Sequence, residues 1–389
     1  MRNLLLAVLL SALPAFAQQA AQDPITVGAA LPQSGILADL AADLRKSLLL
    51  WQEEVNAAGG LLGRRVELQL LDDRSESLSA GKLYEQLIQS KVDLLVGPFG
   101  SAATQVAAAV AERNRRVMIT ATGAARAVHR SGYRYVFQTT APLAGYGAGA
   151  LELARAQGIK RLMLLARDDP SSREMAARTR EAAAAQGFSA GDVEAHGQGA
   201  ADFTMQVAKA RASSAEAWIA FGLPQDAAEM VKSFRRLGYA PRLFVAQGVA
   251  DPDFIRRVGQ DAEYAVGITP YDRRARTRGN AQFAEAYAKK WSAEPGHLAA
   301  EGYAAAKILE EGVRRAGTLE QEKLRDALAA LETETPLGPY KVARTGAQSA
   351  TRPLLVQVQR GRREFVWPEA VATATWQPYP AWEARKPLK

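Results

Sequence analysis

The sequence contains no cysteine and only three histidines, His129, His196 and His297. Without thiols, neither a disulfide framework nor a cysteine nucleophile is possible. The histidines are too scattered to match the spacing of a metal site, and no G-x-S-x-G motif marks a nucleophilic serine. We therefore expect no metal, no other cofactor and no enzymatic activity.

Long apolar runs are also scarce, and the one at the N-terminus is short. Arg2 precedes an apolar stretch from Leu4 to Leu13, and Ala15-Phe16-Ala17 follows it. This is the pattern of a secretory signal peptide with a small-residue cleavage site, whereas a membrane span needs about 20 apolar residues. We expect residues 1–17 to be removed and the mature protein to be periplasmic. A chain of this length can be stable without disulfides.

Acidic residues are fewer than basic ones, and the chain has a formal net charge of +8 at pH 7. Clusters such as Arg273-Arg274 and Arg360-Gly361-Arg362-Arg363 resemble nucleic-acid contacts, but secretion argues against a nucleic-acid partner. Solvated faces of an arginine-rich protein are the simpler interpretation. Attraction of anionic solutes is the alternative.

Apolar strands and amphipathic helices alternate through the first part of the chain. Strands are predicted at 25–31, 66–70, 92–96 and 116–119, and helices at about 40–55, 77–90 and 101–113. Gly59-Gly60 ends the first helix and Asp72-Asp73 ends the second strand. The class is therefore α/β, because such a series predicts a parallel sheet with helices on both faces.

A second alternating series follows residue 140 and predicts a second α/β lobe. Its strands are predicted at 161–166, 215–221, 243–246 and 264–268, and its helices at 171–187, 202–212 and 224–237. Three helices then crowd 279–331, and a hairpin joins 354–359 to 364–367. Residues 368–389 carry Trp376, Tyr379 and Trp382. They are predicted to form an extended tail that packs on a lobe rather than one that recruits a partner.

Three loops follow strands of the first series, at 33–35, 97–101 and 120–123. Ligands of open α/β sheets bind beyond the carboxyl ends of the strands. Ser101 begins a helix, and the free N–H groups of a helix start, together with a hydroxyl, suit a carboxylate. The alternative for Ser101 is a plain N-cap worth about 1 kcal/mol, and the two roles can coexist.

The segment from Gly145 to Ala150 matches the G-x-G-x-x-A fingerprint of dinucleotide-binding proteins. That fingerprint requires a tight turn directly after an apolar strand. Here it lies in a predicted helix start after Pro142, so nucleotide binding is disfavoured.

Four stretches, 25–35, 55–73, 96–104 and 131–140, together resemble the leucine/isoleucine/valine-binding type of periplasmic proteins, the type I solute-binding proteins of ABC transporters. The resemblance covers most of 24–345 and implies two Rossmann-like lobes joined by three crossovers, near 138–142, 267–272 and 345–352. The expected first lobe comprises 24–140 plus 271–345. The expected second lobe comprises 141–270 plus 346–367, and 368–389 form the tail.

The same resemblance implies a monomeric receptor that binds a small-molecule solute between its lobes by hinge closure and docks on ABC permease membrane subunits. A carboxylate is expected at Gly100-Ser101 and the segment from Thr120 onward. The candidate ligand-binding residues are Ser34, Phe99, Gly100, Ser101, Thr120, Thr122 and Gly123 in the first lobe and Ser172, Leu223 and Gln247 in the second. Binding of branched-chain or other amino acids, or a ligand sensor feeding a signalling partner, is the alternative.

The second lobe departs from the family's pattern. Such proteins usually supply an aromatic residue and an acid for the ligand's ammonium, whereas this chain has Ser172 and Gln247 at those positions. A buried ammonium requires a charged partner, and glutamine offers only neutral hydrogen bonds. We therefore predict a ligand without an α-ammonium, such as an aromatic or aliphatic carboxylate, or a small alcohol-derived or amide solute. The open alternative is that Asp226 or Asp251 supplies the charge.

Overall fold

A computed structural model describes residues 23–130 and 132–385. The predicted signal peptide, residues 1–17, and the last four residues of the tail lie outside the described residues. None of the helices in the described part of the chain is long and apolar enough to cross a membrane.

Strands and helices alternate along most of the chain. The strands are β1 (Ile25–Leu31), β2 (Val66–Asp72), β3 (Leu94–Val96), β4 (Met118–Thr120), β5 (Val136–Gln138), β6 (Arg161–Arg167), β7 (Ser189–Ala190), β8 (Glu194–His196), β9 (Ala217–Phe221), β10 (Leu243–Ala246), β11 (Val266–Thr269), β12 (Thr333–Thr335), β13 (Gly338–Tyr340), β14 (Leu354–Gln359) and β15 (Arg362–Trp367). The α-helices are α1 (Ala38–Ala57), α2 (Ser79–Gln89), α3 (Ser101–Arg113), α4 (Arg126–His129), α5 (Ala148–Ala156), α6 (Pro170–Ala185), α7 (Thr204–Ala212), α8 (Pro224–Arg236), α9 (Pro252–Val258), α10 (Asn280–Trp291), α11 (His297–Ala316) and α12 (Gln321–Ala329).

The first sheet has the order β2-β1-β3-β4-β5, and all its strand pairs are parallel. Its inner strands are apolar throughout because helices cover both faces. On one face α1 and α11 pack closely against each other and the sheet. Their close approach requires Gly302, because a Cβ there would lie 2.4 Å from Ser47 Oγ.

The second sheet has the order β15-β14-β11-β10-β9-β6-β7, and β8 also pairs with β6. The strands from β6 to β11 are parallel, whereas β14 and β15 form the predicted antiparallel hairpin. The hairpin turns at Arg360-Gly361, where both residues have positive φ. The predicted α/β class and alternation of elements are thus confirmed in this half as well.

Three chain segments connect the two sheets, after β5, after β11 and before β14. Gln348 ties the first and third segments together. Its Nε2 donates to Thr139 O at 3.2 Å, and its Oε1 accepts from the amides of Ser349 and Ala350, both at 2.8 Å. The predicted fold, two Rossmann-like lobes joined by three crossovers, is confirmed.

The tail after β15 lies across the second sheet's lobe. Gln377 and Gln357 exchange two hydrogen bonds, of 2.9 and 2.7 Å, and Trp382 Nε1 donates to Tyr239 O at 2.8 Å. Tyr379 is buried in the same apolar cluster as Phe244. The tail's aromatic residues are therefore used in packing.

Candidate functional site

The order of the strands creates one crevice in each sheet. In the first sheet the chain runs from β1 to β2 on one side and then to β3 on the other, so the loops after β1 and β3 diverge. In the second sheet it runs from β6 to β7 and β8 on one side and then to β9 on the other. Ligands of such sheets bind at these divergence points, outside the carboxyl ends of the strands.

The loop after β3 is held rigidly beside the first crevice. Gly100 has φ 81° and ψ 157°, a conformation that is almost restricted to glycine. Its amide donates to Thr122 Oγ1 at 2.8 Å, and its carbonyl accepts from Thr104 Oγ1 at 2.7 Å. Gly100, rather than Ser101, is therefore the N-cap of α3, which corrects the alternative considered for Ser101. Phe99 is half-buried against the first lobe's core.

Ser101 is the first residue of α3, and its Oγ accepts from the amide of Ala125 at 3.1 Å. A hydroxyl that accepts one hydrogen bond still has its own hydrogen to donate. None of the hydrogen bonds among described residues uses the amides of Ser101, Ala102 or Ala103. The first turn of α3 carries no acidic residue, so four donors at a helix start can meet an anion.

The predicted residues at the end of β4 and in the loop that follows it lie against this loop. Thr120 is fully buried, and its Oγ1 has no hydrogen-bond partner among the described residues. Gly123 must lack a side chain, because a Cβ there would lie 2.5 Å from Thr104 Cγ2. The structure thus brings Thr122 and Gly123 together with Gly100 and Ser101, while Thr120, the last residue of β4, lies against Gly97.

Ser34 lies on the other side of the first crevice, but its hydroxyl is already engaged. Its Oγ donates to Asp72 Oδ2 at 2.7 Å, and Asp72 Oδ1 accepts from the amide of Gln33 at 2.9 Å. The hydrogen bond from Ser34 is the largest cause that lowers the pKa of Asp72, to about 2. Asp72 therefore joins the loop after β1 to the end of β2.

Ser172, predicted as a ligand contact of the second lobe, is likewise engaged within its own helix. Asp169 caps α6, and its two carboxylate oxygens accept from the amide and the hydroxyl of Ser172 at 2.9 and 2.8 Å. The Ser172 hydroxyl hydrogen is therefore used by the cap. Only the hydroxyl oxygen of Ser172, as a hydrogen-bond acceptor, is still available to a solute.

Leu223 and Gln247 occupy neighbouring loops of the second lobe. Leu223 precedes α8 and is 43% exposed, which is unusual for a leucine. Gln247 is half-buried at the end of β10. A Cβ on Gly248 would lie 2.4 Å from the backbone of Leu223, so the two loops are in direct contact.

The second crevice also contains an arginine that sequence reasoning missed. Arg167 ends β6, and its Nη1 lies 3.7 Å from Asp226 Oδ2 while its Nε lies 3.7 Å from Asp169 Oδ2. Asp226 is one of the two acids, with Asp251, named as the alternative partner of a ligand's ammonium. Its Oδ2 accepts from the amide of Leu223 at 2.8 Å. The only signal in the sequence was an apolar strand that ends in arginine directly before two aspartates.

Two hydrogen bonds lie where the two lobes meet. The amide of Arg126 donates to Glu174 Oε1 at 3.0 Å, so α4, next to Ala125, is tied to α6. At the first crossover, Thr140 Oγ1 donates to Glu301 Oε1 at 3.0 Å. Burial raises the pKa of Glu301 to about 8, because a carboxylate loses its hydration there without gaining a cation.

The described residues contain no group of three His, Asp or Glu side chains placed to hold a metal ion. The predicted dinucleotide fingerprint also lacks its context. Gly145 ends a short 3₁₀ helix and Ala148 begins α5, whereas the preceding strand, β5, ends at Gln138. A tight strand-to-helix turn that could hold a pyrophosphate is therefore not formed at this motif.

Similar proteins share this arrangement over most of the chain. The leucine-, isoleucine-, valine-, threonine-, and alanine-binding protein of Pseudomonas aeruginosa is 23% identical over 320 residues, which are 82% of this chain and 85% of that protein. A branched-chain amino acid transporter substrate-binding protein of Streptococcus pneumoniae, solved with isoleucine, superposes with a TM-score of 0.71 at 22% identity, covering 88% of this chain and 99% of that one.

A third similar protein was solved with a different kind of ligand. The solute-binding protein of an ABC transporter from R. palustris, in complex with benzoate, superposes with a TM-score of 0.70 at 21% identity, covering 93% of this chain and 99% of that one. At such identities the two structures show that the fold is shared. The family model described as "periplasmic binding protein" matches residues 24–363, and the chain belongs to this family of solute-binding receptors.

Proposed function

We propose that the protein is the periplasmic solute receptor of an ABC importer and that it binds a small carboxylate between its lobes by hinge closure. The start of α3 carries this proposal. Three backbone amides without a hydrogen-bond partner among the described residues lie there with the Ser101 hydroxyl, in a first helical turn that carries no acidic residue. Permease membrane subunits are the proposed partners, and the receptor acts as a monomer.

The proposed contacts of the carboxylate are Gly100 and Ser101, supported by Thr122 and Gly123. Phe99 and Ser34 form the walls of this half of the site, and the buried Thr120 supports it from the end of β4. In the second lobe, Ser172, Leu223 and Gln247 surround the rest of the solute. The exposed side chain of Leu223 favours an apolar middle portion of the solute, because closure would then remove apolar surface from water.

Isothermal titration calorimetry with benzoate, its ring-substituted derivatives and short aliphatic carboxylates tests this function. We expect at least one carboxylate to bind, and Ser101→Ala to weaken its binding about five- to thirtyfold, since the lost hydrogen bond contributes about 1–2 kcal/mol. Ser213→Ala, at the far end of α7, is the matched control and should bind like the unchanged protein. An unaltered dissociation constant for Ser101→Ala would contradict the role of Ser101.

A second candidate is a receptor for amino acids, and the buried Asp226 favours it because a carboxylate can hold an ammonium. The relative in Pseudomonas aeruginosa is named for amino acids. The same titrations with leucine, valine and alanine distinguish the two candidates. Tight binding of leucine together with no binding of any carboxylate lacking an amine would favour this second candidate over the first.

Import and sensing differ in their consequence for uptake. Once a bound carboxylate is identified, cells that lack this protein should take up the radiolabelled solute much more slowly than the parent. Unchanged uptake together with a lost transcriptional response would indicate a sensor.

A further inference from the structure

Arg167 and Asp226 meet at the divergence point of the second sheet, beyond the ends of the neighbouring strands β6 and β9. Arg167 is the last residue of β6, and Asp226 lies in the first turn of α8, directly after β9. Gly222 lies between them. A Cβ on Gly222 would lie 2.8 Å from Asp226 Oδ2 and 3.3 Å from Arg167 Cβ, so a larger residue would displace the pair.

Both side chains are largely buried, and each has a polar atom without a hydrogen-bond partner among the described residues. The Asp226 side chain is 2% exposed and that of Arg167 is 14% exposed. Arg167 Nη2 donates to Gln198 Oε1 at 3.0 Å. By contrast, Arg167 Nη1 and Asp226 Oδ1 form no hydrogen bond with any described residue. Buried polar atoms are nearly always paired in folded proteins, so this donor and this acceptor call for a partner.

The charges of the pair restrict what that partner is. A second carboxylate beside Arg167 would also meet Asp226, and Asp169 Oδ2 lies only 3.7 Å from Arg167 Nε. An ammonium beside Asp226 would meet the Arg167 guanidinium. Like charges in a poorly solvated site repel strongly. A second anion would meet two carboxylates and a cation would meet the guanidinium, whereas a neutral group avoids both repulsions.

We propose that Arg167 and Asp226 hold the end of the solute opposite its carboxylate, and that this end is a neutral group that both accepts and donates a hydrogen bond. A hydroxyl or a primary carboxamide meets both requirements: its oxygen accepts from Arg167 Nη1, and its O–H or N–H donates to Asp226 Oδ1. The solute class is thus a hydroxy acid or an amide acid. The inference rests on the proposed binding of a carboxylate by the first lobe.

Calorimetry with matched carboxylates tests the inference. The probes are 4-substituted benzoates and straight-chain acids of three to eight carbons, each with one of four ends: hydroxyl or carboxamide, methyl, carboxylate, and ammonium, the last supplied in the benzoate series by 4-(aminomethyl)benzoate. We expect the tightest binder to have the neutral polar end and to bind at least about tenfold more tightly than its methyl, carboxylate and ammonium counterparts, because a site built for hydrogen bonds rejects analogues that lack them.

The outcomes separate this inference from the proposed function. If carboxylates bind with no preference among the four ends, or if a methyl, carboxylate or ammonium end gives the tightest binder, the inference is wrong while the carboxylate site stands. If no carboxylate binds whatever its other end, both are wrong.

Two variants tie the preference to this pair. Arg167→Met and Asp226→Asn should reduce the preference for the neutral polar end over the methyl end to about threefold or less, with little change for the methyl-ended acid. Asp226→Asn keeps an oxygen that can accept from Leu223, so it remains informative if Arg167→Met does not fold. Arg173→Met removes an exposed arginine that pairs with Asp168 and should leave the preference unchanged. An unchanged preference in both folded variants would assign the pair a structural role and overturn the inference.

Discussion

The two lobes share the same strand order at their crevices but present different chemistry there. In the first lobe, backbone amides at the start of α3 and one hydroxyl face the crevice, without an ionised side chain in the first turn. In the second lobe, Arg167 and Asp226 face each other at 3.7 Å. The first arrangement suits any carboxylate, whereas the second depends on the group at the other end of the solute. If the proposed function and the inference about Arg167 and Asp226 hold, the first lobe supplies affinity for carboxylates and the second lobe discriminates among them.

The largest expected effect is the loss of stability when a loop glycine of the second lobe, rather than one of the first lobe, is replaced. Gly248→Ala places a Cβ 2.4 Å from the backbone of Leu223, whereas a Cβ on Gly100 has no neighbour within 4 Å. We expect Gly248→Ala to lower the free energy of unfolding by at least about 4 kcal/mol. Gly100→Ala should cost only about 1–3 kcal/mol, through its φ and ψ alone.

Urea unfolding followed by circular dichroism measures both costs. Equal costs, or a greater cost for Gly100→Ala, would show that the second-lobe loops can move apart and that their close contact is not essential.

A smaller effect concerns the junction of the lobes and depends on pH. Burial keeps Glu301 protonated in the folded protein up to about pH 8, whereas a glutamate in the unfolded chain releases its proton near its ordinary pKa. The folded state therefore binds more protons in this window, and the free energy of unfolding falls as pH rises from about 4.5 to 8. Glu301→Gln should remove this contribution and raise stability at pH 8 by a few kcal/mol, on the order of 1.4 per unit of pKa shift.

Unfolding free energies at pH 5, 6.5 and 8 test this expectation. Glu311→Gln, on an exposed part of α11, is the matched control and should keep the parent's dependence on pH. A Glu301→Gln variant that is less stable than the parent at pH 8 would mean that the carboxylate is ionised and stabilising at the crossover.

The smallest effect concerns the hydrogen bond that joins the lobes beside the carboxylate site. Glu174 accepts from the amide of Arg126, next to the Ala125 amide that donates to Ser101. Glu174→Ala should release this segment and weaken the binding of carboxylates about two- to fivefold, in keeping with a single hydrogen bond. Calorimetry measures it, and Glu181→Ala, further along α6, is the control. Equal effects of the two changes would mean that the link does not orient Ser101.

Sequence reasoning succeeded where elements are long and periodic. The strand at 25–31, the helix ended by Gly59-Gly60 and the hairpin around Arg360-Gly361 all lie where they were predicted. It missed β5, β7, β8, α4 and the β12–β13 pair, each of two to four residues, because hydrophobic periodicity needs a longer window. It also missed α9, which is seven residues long and spans less than two full turns of an α-helix.

The candidate site, too, was predicted from the sequence only in part. The loop from Gly97 to Ser101 was recognisable because its small residues lie next to one another between a strand and a helix. The pairing of Arg167 with Asp226 depends on β6 and β9 being neighbours in the sheet, and sequence distance conceals it. The engagement of Ser172 by Asp169 was not foreseen either, although the two residues are only three apart and an aspartate at a helix N-cap is a local signal.

The central claim, that the start of α3 holds the solute's carboxylate, is tested most directly by placing a carboxylate there. Ala102 is exposed in the first turn of α3, where an acid stabilises a helix by about 0.3–1 kcal/mol. Ala102→Asp should therefore leave the fold as stable or more stable, yet weaken the binding of carboxylate solutes at least about tenfold, while Ala102→Asn binds within about threefold of the parent. Equal dissociation constants for Ala102→Asp and Ala102→Asn, measured by calorimetry in low salt, would contradict the account.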